Sequence, residues 1–173
     1  MATGFIHLPA LAWVPADGST SNAAPTPRRI KSTAAAPSLH FVEWQFADAV
    51  KAYLYATFRM PADYASAPIL RVDGKANATS GVAVLSSRVA AITAGDVDTP
   101  NEKALGTDNT TTWTANATEA RRLVQASVTL TNADSAAAGD LIVLEFARLG
   151  DDASDTLTVA FEFLGGLLEY TTT

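Results

Sequence analysis

The chain has 173 residues, with 48% hydrophobic and 17% charged side chains, which is enough apolar material for one packed domain and excludes wholesale disorder. Its net charge of −6 repels phosphate groups, so we expect no nucleic-acid partner. The absence of cysteine excludes disulfides and thiolate chemistry, and no run of about 18 apolar residues occurs, so we expect no membrane partner.

Residues 1–37 are predicted to form an extended N-terminal arm or linker, and residues 38–173 a β-sandwich domain. The stretch 16–37 is rich in Ser, Thr, Ala, Asn and Pro, a composition that buries too little apolar surface to fold alone. An apolar tip at residues 5–14 precedes it, and the alternative is that this tip is the first strand of the chain's own sheet. The arm residues predicted to contact a partner are Phe5, Ile6, Leu8, Trp13, Arg28 and Arg29.

The middle of the chain contains segments with strand-like patterns. Residues 46–58 fit both a helical stripe and one face of a strand, and Tyr53 and Tyr55 favour the strand. Residues 69–72 predict a short strand that an Asp-Gly pair ends, and residues 82–92 predict a longer one.

Three segments towards the C-terminus have the clearest strand patterns. Apolar and polar residues alternate at 124–131 and at 157–163, and residues 141–148 form a mostly apolar run between Gly-Asp turn signals. A period of two is what a half-buried antiparallel strand requires, and Gly165-Gly166 allows a bulge before the chain ends. We therefore predict an all-β fold, a single antiparallel β-sandwich preceded by the arm.

The sequence contains no pattern typical of a catalytic or cofactor site. Its two histidines, His7 and His40, form no recognisable arrangement with an acid or a serine, and neither a nucleophile elbow nor a glycine-rich phosphate loop occurs. We therefore predict no catalytic residue, no cofactor and no bound metal.

Two acidic loops allow a calcium hypothesis. One contains Asp96 and Asp98, and the other contains Asp151, Asp152 and Asp155. Calcium takes about six to eight oxygen ligands, so the two loops would have to converge, and their spacing matches no EF-hand. Turn aspartates that hydrogen-bond to their own backbone are the favoured interpretation.

Two glutamates allow a hypothesis of glycoside hydrolysis. Glu145 and Glu162 fall within neighbouring predicted strands, where they could form the carboxylate pair of a glycosidase. Both belong to predicted solvent faces, so ordinary surface acids are the favoured interpretation.

Aromatic side chains could form a platform on which sugar rings stack. The favoured interpretation places such residues in a core or an interface. Trp113 stands out because it lies in a polar, loop-like run. There it is either buried beneath the loop or in contact with a partner, and we count it among the partner-binding residues. The candidates for the platform are Trp44, Tyr53, Tyr55, Tyr64 and Trp113.

Several turn-and-strand phrases between about residues 40 and 173 carry a resemblance to a known group of proteins. The phrases are FRMPADY (58–64), ILRV (69–72), SGV (80–82), ITAGD (92–96), LTNAD (130–134), AGDL (138–141), Arg148, DDASDT (151–156) and LEYT (168–171). Together they resemble small jelly-roll virion proteins of tailed bacteriophages, including capsid decoration (cement) proteins and head-fibre bases.

This resemblance implies a jelly-roll sandwich and a non-enzymatic structural role on the capsid surface of a virion. It further implies a homotrimer whose partner is the major capsid protein, and it supplies no catalytic residues. Two alternatives remain open at this point. One is a phage tail or fibre receptor-binding module that recognises cell-surface glycans, and the other is a carbohydrate-active enzyme domain.

Overall fold

The computed structural model describes residues 2–95 and 99–173. Across these residues the chain is all-β, with eleven strands and one turn of 3-10 helix at Ala10–Ala12. No helix in this described part is long and apolar enough to cross a membrane. The strands are β1 (Thr3–Pro9), β2 (Val14–Pro15), β3 (Thr26–Lys31), β4 (His40–Phe46), β5 (Lys51–Arg59), β6 (Tyr64–Ala76), β7 (Val82–Ile92), β8 (Asn109–Thr114), β9 (Val124–Thr129), β10 (Leu141–Leu149) and β11 (Phe161–Thr172).

The strands form two antiparallel sheets. In the first sheet the order is β3-β4-β11-β6-β9, and β1 also pairs with β11; in the second sheet the order is β2-β5-β10-β7-β8. β4 pairs with the start of β11 and β1 with the remainder, so these two strands follow one another along the same edge of β11. The predicted antiparallel jelly-roll sandwich is confirmed.

Side chains that alternate along the strands meet between the two sheets in an aromatic core. Phe46, Phe161 and Phe163 come from the first sheet and Phe146 from the second, and none of the four has any exposed surface. The rings of Phe146 and Phe163 stack with their centroids 4.8 Å apart. Full burial of one such side chain stabilises the fold by about 1.5–3 kcal/mol, so this cluster contributes much of the attraction between the sheets.

The N-terminal segment is not a free arm, which corrects the prediction for residues 1–37. β1 pairs with β11, β2 with β5, and β3 with β4. Only 4% of Leu8 and 2% of Trp13 are exposed, and the indole Nε1 of Trp13 donates to the carbonyl of Leu8 at 3.1 Å. Strand pairing satisfies the hydrogen-bonding groups of the backbone. The buried side chains of Leu8 and Trp13 supply the apolar surface that residues 16–37 lack.

The strand predicted at residues 69–72 is longer in the structure, because β6 runs through the Asp-Gly pair that was expected to end it. Gly74 faces the core, and the ring of Phe161 packs so closely on its backbone that a Cβ would overlap with the ring. Glycine at this position permits the close approach of an aromatic ring and does not mark a turn.

The strand predicted at residues 157–163 begins later, at Phe161. The carbonyl groups of Leu157 and Val159 accept hydrogen bonds from the guanidinium of Arg148. These two carbonyls therefore bind a buried side chain where the sequence pattern predicted a strand ladder.

Other expectations for the strands are confirmed. The residues predicted as a long strand at 82–92 form β7. The ambiguous segment 46–58 contains β5, as the two tyrosines indicated. The register of β11 against β6 shifts between Phe163 and Gly165, which is the predicted bulge.

Candidate functional site

Three neighbouring strands of the second sheet bring a tyrosine, a carboxylate and a guanidinium into one row. Tyr55 of β5 is the register partner of Glu145 of β10, which pairs on its other side with Arg88 of β7. Leu54 points into the core, and side chains alternate along a strand, so the row lies on the outward face. We call this surface, formed by Tyr53, Tyr55, Arg88 and Glu145, the tyrosine face.

Glu145 and Arg88 form a bidentate ion pair in the middle of the tyrosine face. Nε and Nη2 of Arg88 each donate to a different oxygen of the carboxylate at 2.7 Å. The side chain of Glu145 has no exposed surface, whereas 31% of the Arg88 side chain is exposed. The buried carboxylate therefore fixes the orientation of a guanidinium whose other edge faces solvent.

The phenol of Tyr55 lies against the same carboxylate. Burial, followed by the negative charge of Glu145 and a hydrogen bond to it, raises the pKa of Tyr55 to about 12. The phenol is therefore neutral at physiological pH. Because Tyr55 is only half-buried, part of its ring is a surface that a ligand can contact.

Short side chains beside the row leave the tyrosine rings prominent. Tyr53 stands two residues before Tyr55 on the same face, opposite Ala147 of β10, which pairs in turn with Ser86 of β7. Ala147 and Ser86 have no exposed surface. The two tyrosine rings and the guanidinium of Arg88 are therefore much larger than the side chains of Ala147 and Ser86 beside them.

A second carboxylate extends the polar row towards the edge of the sheet. Asp108, which precedes β8, accepts a hydrogen bond from the Ser86 hydroxyl at 2.6 Å and lies 3.7 Å from Nε of Arg88. Its side chain is 53% exposed. The face thus presents hydrogen-bond donors and acceptors beside aromatic rings, an arrangement suited to a ligand with many hydroxyl groups.

Comparisons with known proteins find similarity at the level of structure. No protein-family model matches the sequence, and no curated protein is significantly similar to it. A family 11 carbohydrate-binding module from Clostridium thermocellum, in complex with a β-1,3-1,4-mixed-linked tetrasaccharide, has a TM-score of 0.50 and 9% identity, over 97% of this chain and 96% of its own. The CBM22-1-GH10 modules of xylanase 10B from the same organism, complexed with xylohexaose, have a TM-score of 0.51 and 12% identity, over 97% of this chain and 28% of theirs.

The likeness is one of fold. At identities of 9% and 12%, these structures share the jelly-roll architecture with this chain and say nothing of its individual residues.

Three of the five aromatic residues predicted as candidates for a sugar platform are buried, as the favoured interpretation expected. Trp44, Tyr64 and Trp113 are exposed by 7% or less. Trp113 belongs to β8, which corrects the prediction of a loop, since the Thr-rich run around it favours a strand. Tyr53 and Tyr55 are the two candidates that lie on the tyrosine face.

The apolar residues predicted to contact a partner are divided between core and surface. Leu8, Trp13 and Trp113 lie in the chain's own core, so a partner cannot reach them in this conformation. Ile6 is partly buried and packs against that core. Phe5 is 56% exposed on β1 and remains available for contact.

The two arginines predicted to contact a partner lie at the edge of the first sheet. Arg28 and Arg29 belong to β3 and line a groove of about 610 Å³. Arg28 pairs in register with Glu43 of β4, and the next residue, Trp44, points into the core. The groove therefore lies on the outward face of the first sheet, opposite to the tyrosine face.

The two glutamates weighed as a catalytic pair lie on opposite faces of the sandwich. Glu145 is on the outward face of the second sheet, and Glu162 is on that of the first sheet, where it contacts Lys75. Packed sheets are about 10 Å apart, so carboxylates on the two outward faces are farther apart than the roughly 5–9.5 Å of a glycosidase pair. These two acids cannot act on the same bond.

The acidic loops form no metal site within the described residues. Asp96 and Asp98 lie outside those residues. Asp155 is engaged by Arg148, and Asp152 accepts a hydrogen bond from the backbone of its own turn at 2.8 Å. In the ranges that the structure describes, no group of three or more His, Cys, Asp or Glu side chains is placed to hold a metal ion.

Two polar residues of this site were missed by the sequence analysis. Arg88 had a weak signal, because it is a lone charge within the apolar pattern of β7. Asp108 had none, since it lies in a polar stretch between strands. Only the pairing of β7 with β10 places Arg88 beside Glu145, and that pairing is not visible in local sequence.

Proposed function

We propose that this chain is a non-catalytic, glycan-recognising module that binds sugar rings on the tyrosine face. One observation carries the proposal: two tyrosine rings stand on the outward side of β5, beside a guanidinium that a buried carboxylate holds in position. All of these groups lie on hydrogen-bonded strands, so the binding surface is formed before a ligand arrives. Binding therefore costs less conformational entropy.

Each part of the tyrosine face suits a sugar. The tyrosine rings offer flat apolar surfaces that pack against the C–H face of a pyranose ring. Arg88 and Asp108 offer a donor and an acceptor for the hydroxyl groups at the rim of that ring. A purely apolar ligand fits less well, because it would leave these polar groups without partners.

The charges favour a neutral glycan. Arg88 and Glu145 neutralise each other, and Asp108 adds a negative charge at the edge. The fold neighbours are consistent with this class of ligand, because the family 11 module is in complex with a β-1,3-1,4-mixed-linked tetrasaccharide and the CBM22-1-GH10 modules are complexed with xylohexaose.

The ion pair also argues against a catalytic role for Glu145. A general acid or base needs a carboxyl group that is free to exchange a proton with the ligand. Both oxygens of Glu145 are occupied by Arg88. The carboxylate therefore acts in our proposal as a support for the arginine.

The test is isothermal titration calorimetry with oligosaccharides of mixed-linked β-glucan and of xylan. Tyr53→Ala and Tyr55→Ala are each expected to weaken binding about fivefold or more, because tyrosine is among the residues whose truncation most often costs more than about 1 kcal/mol. Tyr55→Phe retains the ring and is expected to keep most of the affinity.

Phe5→Ala is the matched control, because Phe5 is an exposed aromatic on the first sheet. This variant is expected to bind as the wild type does. The proposal is wrong if no neutral glycan binds, if both tyrosine variants bind normally, or if the control loses as much affinity as they do.

A further inference from the structure

A second concave surface lies on the opposite side of the sandwich, on the outward face of the first sheet. This groove of about 610 Å³ extends from β3 and β4, across β11 and β6, to the turn before β9. Its volume is within the range of about 300–1,000 Å³ that is typical of ligand pockets. We call it the basic groove, and the lining residues that matter most are Arg28, Phe41, Glu43, Lys75, Arg121 and Glu162.

The floor of the basic groove is a lysine held between two glutamates. Nζ of Lys75 is 2.6 Å from Oε2 of Glu43 and also contacts Glu162. The side chains of Lys75, Glu43 and Glu162 are exposed by only 11%, 0% and 6%. A buried ionic cluster is a poor way to stabilise a sheet, because apolar side chains of similar size do so at least as well. The cluster gives the groove a fixed polar floor.

The Glu43 carboxylate is paired, one oxygen with Gln45 and the other with Lys75. Oε1 of Glu43 accepts a hydrogen bond from Gln45 at 3.3 Å. Oε2 is buried and makes no hydrogen bond within the described residues, since the nearby ammonium of Lys75 is not aligned for one. The ammonium still lies 2.6 Å from Oε2 and neutralises its charge, so the floor of the groove is paired within itself and a ligand would contact the cationic rim.

The rim of the basic groove is cationic. Five cationic side chains and two carboxylates line the groove as a whole, which gives a local charge of +3 in a chain whose net charge is −6. The lysine and the two carboxylates of the floor are included in this count. Arg28 approaches from the edge strand, and Arg121 from the other side. The backbone N–H of Arg121 donates to the carbonyl of Ala76 at the end of β6, at 2.7 Å, which fixes its position. This local field attracts an anionic ligand.

We propose that the basic groove binds an acidic glycan, a chain of sugars that carry carboxylate groups. The carboxylates would pair with Arg28 and Arg121, which line the groove. The ring of Phe41, 5.7 Å from Nζ of Lys75, adds an apolar surface for the sugar ring. Cations alone would suit any polyanion, and the apolar ring beside them favours a ligand whose charges are carried on sugar rings.

The experiment compares oligogalacturonate with its methyl ester of the same length by isothermal titration calorimetry on the full chain. The ester retains the hydroxyl groups and loses the charges. The acid is expected to bind at least about tenfold more tightly, because charge-assisted hydrogen bonds are roughly twice as strong as neutral ones. Added salt should weaken binding of the acid, because part of the attraction is between exposed charges.

Two neighbouring arginines provide a matched pair of variants. Arg121 lines the groove and has a positive φ of 63°, so Arg121→Asn removes the charge with a residue that tolerates this conformation. It is expected to weaken binding of oligogalacturonate about tenfold. Arg122→Asn removes a charge that is 54% exposed and outside the groove lining, and it should leave the affinity unchanged.

Other outcomes would overturn the proposal. The proposal is wrong if oligogalacturonate does not bind or if its ester binds with equal affinity. It is also wrong if the Arg121 and Arg122 variants lose the same affinity, or if single-stranded DNA binds as tightly and with the same dependence on Arg121. The proposal does not rest on the tyrosine face. Tyr55→Ala should leave oligogalacturonate binding intact, so the two proposals can fail separately.

Discussion

Arg148 is a fully buried arginine that joins distant parts of the chain at one end of the sandwich. It points into the core from β10, and its guanidinium donates to both oxygens of Asp155 at 2.7 and 3.0 Å. It also donates to the carbonyls of Phe46 and Val159. These bonds connect the end of β4 to the segment before β11, and they need the planar, five-donor shape of a guanidinium.

We predict that Arg148→Met lowers the free energy of unfolding by about 3–5 kcal/mol, because it leaves the charge of Asp155 buried and unpaired. Urea unfolding followed by tryptophan fluorescence measures the change. Arg122→Met removes an exposed cation 3.6 Å from Glu119 and should cost less than about 1 kcal/mol. Similar losses in the two variants would contradict the role assigned to Arg148.

The raised pKa of Tyr55 predicts a loss of stability in alkaline solution. The pKa rises from 10.0 to about 12 on folding, so the unfolded chain releases the phenolic proton first. The free energy of unfolding should therefore decline as the pH rises from about 10 to about 12. Tyr55→Phe should make this decline shallower.

Urea unfolding at a series of pH values tests this prediction. Burial also raises the pKa of Tyr64 and of Tyr170, so some decline should persist in the Tyr55→Phe variant. A variant with the same pH dependence as the wild type would show that folding does not raise the pKa of Tyr55.

Among the elements, β1 and the short helix after it connect the N-terminus to the first sheet. β1 continues along β11 where β4 ends. The carbonyl of Ala10 accepts a hydrogen bond from the indole of Trp44 at 2.8 Å. The ring of Trp13 meets that of Phe163 edge-on, with centroids 5.3 Å apart. The N-terminal segment is therefore part of the packed domain.

We predict that deletion of residues 1–37 prevents folding and that Trp13→Ala lowers the free energy of unfolding by about 3–5 kcal/mol. Phe5→Ala is the control, since Phe5 is exposed, and its effect should stay within about 0.5 kcal/mol. Circular dichroism during thermal unfolding measures all three. Cooperative unfolding of the fragment 38–173 would restore the interpretation of residues 1–37 as an arm.

At the scale of the whole molecule, the sandwich presents two chemically different surfaces on its two sides. The tyrosine face combines aromatic rings with a neutralised ion pair, whereas the basic groove is cationic. The core separates them, so substitutions on one face should leave binding on the other unchanged.

The virion partners stay predictions. A major capsid protein partner, a homotrimer and a place on the capsid surface were inferred from resemblance alone. The exposed apolar side chains of Phe5, Leu11 and Val14 are available for such contacts. Light scattering at tens of micromolar tests the trimer, which Leu11→Ser should weaken. A monomer under these conditions would count against it.

The sequence by itself determined the class of fold and several of the strands. Alternation at residues 124–131 and the run at 82–92 predicted β9 and β7, because alternate side chains on opposite faces are a local property of extended backbone. The bulge before Gly165 was also visible, since glycine is the residue that such a bend favours.

Only the tertiary structure decided which side chains share a surface. Tyr55, Arg88 and Glu145 are far apart in sequence and meet through the register of β5, β10 and β7. Glu162, expected near Glu145, lies on the other sheet. Strand pairing and the choice of sheet follow from how all the apolar faces pack together, a long-range property that no local pattern encodes.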